Sequence, residues 1–88
     1  MNIQVEVSKL NHWILNENHI KKEFLFSTFP EAIAFIVRVS DDAMRLNHHP
    51  EIYNVYNKVT ISLSTHDVGG LSELDFALAK LIDLQFVQ

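Results

Sequence analysis

IYNVYNKVTISLS, residues 52–64, is the stretch from which the architecture can be worked out. Its second half alternates without a break. Val59, Ile61 and Leu63 fall on one side and Thr60, Ser62 and Ser64 on the other, the period of two that marks a strand with one face on a core and one in water. Ile52 to Tyr56, in front of it, is rich in β-branched and aromatic residues. The two runs are therefore expected to form a hairpin turning at Asn57-Lys58, inside an antiparallel sheet.

Working backward, Trp13 to Leu15 and Ile20 to Phe26 read as a second pair of strands around the polar turn Asn16-Glu17-Asn18, with Phe24 and Phe26 sharing a face. Between the hairpins, Thr28-Phe29-Pro30-Glu31 has the form of a helix start: Thr28 caps, Pro30 is tolerated in the first turn, and Glu31 completes a capping box. Phe29, Ile33, Ile36, Ser40 and Met44 follow at helical spacing and predict a helix to about Leu46, stopped by Pro50. Working forward, Gly69-Gly70 breaks the chain, Ser72 can cap, and Leu74, Leu78, Leu81 and Ile82 supply the stripe of a closing helix. The expected fold is α+β: a single four-stranded antiparallel sheet with the helices packed on one face, in the order ββαββα.

At 88 residues the chain is expected to be one domain, 1–88. With 48% hydrophobic and 20% charged residues and only two Gly and two Pro, it has the composition of a packed globule. A domain this short buries only about 60 to 65% of its unfolded surface. Stability is thus expected to lean on assembly, and exposed sheet edges invite it, so a homodimer or homotetramer is anticipated. The seven Lys and Arg are scattered against eleven Asp and Glu, for a net charge of -4, which argues against nucleic-acid binding. Without cysteine there is neither a disulfide framework nor a thiolate metal site. No run approaches the roughly 20 apolar residues of a membrane span, and MNIQVEVSKL lacks the regions of a signal peptide; the expectation is a soluble, cytoplasmic protein with no membrane partner.

Three of the five histidines stand where polar groups can converge. His48 and His49 lie just past the predicted helix end, and His66 ends the strand Val59 to Thr65, so all three are expected on loop edges of a rigid scaffold. Imidazole, with an unperturbed pKa near about 6.5, can give and take protons at neutral pH. The plainer account makes the His pair a helix C-terminal feature that complements the dipole, and His66 a strand-end surface residue. A three-imidazole zinc site is a further alternative. Against it, adjacent residues in extended chain point opposite ways, and no His-x-His or His-x-x-x-His spacing occurs.

Asn47 to Asp75, NHHPEIYNVYNKVTISLSTHDVGGLSELD, closely resembles the core of the pterin-4a-carbinolamine dehydratases. Of that family's pattern this chain matches His48, His49, Pro50, Tyr56, His66 and Asp75, and the resemblance extends back through Arg38-Val39 and Phe24-Leu25-Phe26 to Trp13. It departs at two positions: Met44 stands where the family has an acidic residue four positions before the first His, and the aromatic usual at Ile52 is missing. In the family that carboxylate helps orient or polarise the histidines; Asp41, one turn earlier on nearly the same face, is the candidate substitute. The family's leading helix is reduced here to Glu6 through Leu10 or absent, so the full order reads (α)ββαββα.

The resemblance implies a substrate with a hydroxyl on pterin carbon 4a beside a ring nitrogen bearing hydrogen, and no cofactor, the pterin being the substrate. His66 is implied as general acid, His48 as general base and His49 as a holder of the pterin, with the first two roles exchangeable. Asp75, Pro50, Ser64, Thr65 and Tyr56 are implied to bind or orient the substrate. Asp75 can also serve simply as the third residue of a helix-start box with Ser72, and Tyr56 and Trp13 can be core or interface aromatics as well as walls for a flat ring. His12 and His19 match no functional position of the family and are expected to be solvated. The competing class of function is an interaction module, since animal relatives stabilise a transcription-factor dimer; another is a homologue that binds pterins without dehydrating them.

Overall fold

A computed structural model describes residues 1–86. Four strands form one antiparallel sheet in the order β1-β2-β4-β3, where β1 is Ile14–Asn16, β2 His19–Leu25, β3 Glu51–Val55 and β4 Lys58–Leu63. Three helices complete it: α1 (Ile3–Ser8), α2 (Phe29–Leu46) and α3 (Glu73–Gln85), giving the order αββαββα. The leading helix is present, and it begins earlier than Glu6 because Asn2 caps it through a bond from the Val5 N–H. Ile3, Val7 and Leu10 pack from it and its exit onto the core.

Alternation sets the sheet's two faces. Ile20, Lys22 and Phe24 of β2 pair with Leu63, Ile61 and Val59 of β4, and all six are buried on the helix side. Lys22 is the exception in kind; its ammonium meets Asp83 at 2.7 Å, and Asp83 also accepts the Trp13 indole N–H at 3.1 Å. Pairing and hydrogen bonding are what allow a charge on an inward position.

The second hairpin turns one residue earlier than expected, at Tyr56-Asn57, with Val55 opposite Lys58. Asn54 Nδ2 donates to the carbonyls of Tyr56 and Lys58, and Asn57 exchanges bonds with the Phe26 backbone, which together fix that turn. The register slides by two residues, an even number, so Ile52 stays on the same face as Ile61, opposite it, although it is itself exposed. Tyr56 is what changes: it leaves the strand for a turn position with φ of 50°.

Both capping boxes form as expected, Thr28 with Glu31 and Ser72 with Asp75. The buried stripe of α2 is not the expected one. Ala32, Phe35, Val39, Asp42 and Ala43 are buried; of the expected stripe Ile36 packs on the core, whereas Phe29, Ile33, Ser40 and Met44 are exposed. Phe35 stacks on Phe24 and Phe26 with ring centres 4.8 and 5.0 Å away, and the two alanines let the helix come close. On α3 the inward residues are Asp75, Phe76, Leu78, Ala79 and Ile82; Leu74 is exposed. α2 ends at Leu46, as expected, but the residue that ends it is Asn47 and not Pro50. Asn47 takes the left-handed conformation, and the Asn47 and His48 N–H groups bond back to the Met44 and Ala43 carbonyls. Among the described residues, no helix is long and apolar enough to cross a membrane.

Candidate functional site

Three short segments meet at one end of the sheet: the exit of α2, the exit of β4 and the start of α3. The left-handed Asn47 turns the chain sharply, so that His48, the next residue, is directed back onto the N-terminal turn of α3. There its Nε2 lies 2.6 Å from Asp75 Oδ1. The Asp75 side chain is 0% exposed and that of His48 only 11%. Asp75 is the third residue of α3, where the helix's free N–H groups and dipole favour a negative charge.

The other carboxylate oxygen is held as firmly. Asp75 Oδ2 accepts from Thr65 Oγ1 at 2.7 Å and from the Ser72 N–H at 2.9 Å. Thr65 Oγ1 is in turn 2.6 Å from Ser72 Oγ. A carboxylate has only acceptors, so in this arrangement His48 Nε2 carries the hydrogen of the His48–Asp75 bond and Nδ1 keeps a lone pair while the ring is neutral. This pair does what a buried acid does for an imidazole generally: it fixes both ring orientation and tautomer.

His66 sits on a 3-10 turn, His66–Val68, and not on the last strand. Backbone bonds between Thr65 and Gly70 close the loop that carries it, and Gly69 takes the left-handed φ of 64° that the reversal requires. His66 and His49 are both exposed, as is Ser64; Pro50 and Thr65 are half-buried. The structure thus gathers His48, Thr65 and Asp75 by direct hydrogen bonds, with His49, Pro50, Ser64 and His66 as their chain neighbours.

Tyr56 is not part of this grouping. It lies at the opposite end of β3, 63% exposed, five residues of extended chain beyond Glu51. Trp13 is a core aromatic whose N–H is taken by Asp83. Met44 is 72% exposed, and Asp41, the candidate substitute for the missing carboxylate, is exposed on the same helix. The carboxylate that reaches a histidine is Asp75. The sequence placed Ser72 only as a helix cap; its contact with Thr65 joins two segments and has no local signature. Among the described residues no group of three or more His, Asp or Glu is placed to hold a metal ion.

An open concavity of about 1000 Å³ runs across the outward face of the sheet, lined by His12, His19, Lys21, Tyr53 and Thr60 among others. It touches the histidine end only through Glu51 and Ser64. The hydrogen-bonded group of His48, Thr65 and Asp75 does not line this hollow.

A sequence model of the family described as "Pterin 4 alpha carbinolamine dehydratase" matches residues 1–85. A protein of Rhizobium johnstonii provisionally named pterin-4-alpha-carbinolamine dehydratase is 45% identical over 83 residues, covering 92% of this chain and 82% of its own. One of Sulfurisphaera tokodaii, named in the same way, is 47% identical over 81 residues, covering 92% and 87%. Among solved structures, a transcriptional coactivator/pterin dehydratase from Brucella melitensis superposes with a TM-score of 0.93 at 30% identity, over 97% of this chain and 93% of that one. A pterin dehydratase-like protein described as a RuBisCO assembly factor in the alpha-carboxysome shares the fold at a TM-score of 0.72 and 20% identity, over 85% and 89%.

Proposed function

The chain belongs to the pterin-4a-carbinolamine dehydratase family, and from that premise we propose that it dehydrates a 4a-hydroxytetrahydropterin to the quinonoid dihydropterin, a step of tetrahydropterin recycling. The observation that supports this most directly is the His48–Asp75 pair, an imidazole oriented by a fully buried carboxylate.

Two proton movements make up the reaction. The bond between carbon 4a and its hydroxyl breaks with both electrons leaving on oxygen, and a proton delivered to that oxygen releases water. The hydrogen on the neighbouring ring nitrogen is removed, and its electron pair forms the new carbon–nitrogen double bond. No oxidant and no cofactor is consumed. In this reading His48, with Nε2–H tied to Asp75, offers Nδ1 as the base, and His66 on its exposed turn delivers the proton to the leaving hydroxyl. His49, Pro50 and Ser64 contact the pterin, while Thr65 and Asp75 orient His48. General acid or base help of this kind is worth about 100- to 10,000-fold per group. The water-accessible setting of His49 and His66 suits a small polar substrate that must enter and leave at each turnover.

Stopped-flow absorbance of freshly generated 4a-hydroxytetrahydropterin tests the proposal. The wild-type protein is expected to accelerate dehydration over the spontaneous rate, and His66→Ala to lose at least about 100-fold of that acceleration. A folded wild-type protein that leaves the spontaneous rate unchanged would refute it. Met44 gives a specific reason to weigh a second reading, because the family's carboxylate at that position is replaced by an exposed thioether. Tight pterin binding without acceleration would identify that catalytically weakened homologue.

A further inference from the structure

Ser72 takes no part in the reaction as written, yet its hydroxyl sets the direction of the hydrogen bonds that reach His48. A hydroxyl has one proton to give. Thr65 gives its proton to Asp75 Oδ2 at 2.7 Å, so in the 2.6 Å contact between Thr65 Oγ1 and Ser72 Oγ the donor is Ser72. Ser72 Oγ itself accepts from the Leu74 N–H at 3.3 Å, which leaves its proton for Thr65. The chain of bonds therefore runs one way, from Leu74 through Ser72 and Thr65 to Asp75, where it meets the bond arriving from His48 at 2.6 Å. Such chains polarise link by link, so a distant member affects the last acceptor.

Thr65 stands at a second junction as well. It immediately precedes His66, and its backbone N–H bonds to the Gly70 carbonyl at 2.6 Å, closing the loop on which His66 rides. We infer that Ser72 is a positioning residue for both histidines: by donating to Thr65 it aims the Thr65 hydroxyl at Asp75, which holds the His48 tautomer, and it pins the root of the His66 loop to the start of α3. This inference rests on reading the site as that of a dehydratase. Helix capping alone would ask nothing of Ser72 beyond accepting a hydrogen bond from the N-terminal turn.

That difference is measurable. Ser72→Gly keeps an acceptable helix cap but has no proton to donate, whereas Ser72→Thr keeps both functions. Imidazole nitrogen NMR of the wild-type protein should show neutral His48 as a single tautomer protonated on Nε2. In Ser72→Gly the expected result is a mixture of tautomers, with kcat lowered by about five- to tenfold, the rate equivalent of one net hydrogen bond, and KM changed by less than about twofold. Ser72→Thr should restore the single tautomer and kcat. Thr65→Val, which leaves the cap alone, should also give mixed tautomers. An unchanged tautomer and kcat in Ser72→Gly, or a Ser72→Thr protein as impaired as Ser72→Gly, would overturn the inference and leave Ser72 a cap only. If the wild-type protein gave no acceleration the dehydratase proposal would fall, and the tautomer comparison by itself would still decide the role of Ser72.

Discussion

Burying a carboxylate completely is costly unless its oxygens are supplied with donors, and Asp75 receives them from three places: a His side chain, a Thr hydroxyl and a backbone N–H. Replacing it with Asn tests what the charge contributes, because the new amide can present an N–H where an acceptor stood. His48 would then be driven toward the opposite tautomer or out of contact. Asp75→Asn is expected to reduce kcat by at least about 100-fold while changing KM much less, the behaviour of a group that aligns a base; steady-state and single-turnover rates would show it. The histidines themselves were legible in the sequence as types and as neighbours of loop edges. That His48 is the one seated on Asp75 was not, because the contact spans 27 positions; Asn47, a residue suited to a left-handed helix end, hints at the turn but not at where it delivers His48.

At the scale of elements, what could be foreseen was what is settled locally. Both capping boxes, the strand alternation from Val59 to Leu63 and the break at Gly69-Gly70 are encoded within a few residues of where they act. The face of α2 was misread because its sequence carries two apolar stripes at helical spacing, and only the sheet selects between them. Phe24 and Phe26 leave a space that Phe35 fills. Phe35→Ala should therefore cost about 3 to 5 kcal/mol, the range for removing a buried aromatic ring, whereas Phe29→Ala should cost well under half as much. Chemical denaturation of the two variants side by side checks the assignment. The same logic explains Tyr56: a residue of high strand propensity was assigned to the strand, and side-chain bonds from Asn54 and Asn57 instead placed it in the turn.

The stripe that α2 does not use against the sheet remains on the outside of the molecule. Phe29, Ile33, Val37 and Met44 are all exposed along one helix, and among the described residues the outer edges of β1 and β3 have no neighbouring strand in the sheet. We propose that this apolar row is where a second copy adds buried area to a chain of 10.2 kDa. Sedimentation is expected to give a particle of at least two chains, and Val37→Lys to shift it toward lighter species without unfolding the protomer. A wild-type protein that sediments as a single chain at micromolar concentration would remove this expectation.

The bonds that Asp83 makes to Trp13 and Lys22 join positions 70 and 61 residues apart. Closing so long a loop costs chain entropy that is recovered only when the ends are packed, which predicts that this latch forms late in folding. Its loss should appear on one limb of the kinetics. Asp83→Ala is expected to speed unfolding by about tenfold or more, because Lys22 is then a buried cation without its partner, and to leave the refolding rate nearly unchanged. The latch fastens the far end of α3, whose first turn carries Asp75, to Trp13 and to Lys22 of β2, so the helix that seats His48 is held at both of its ends.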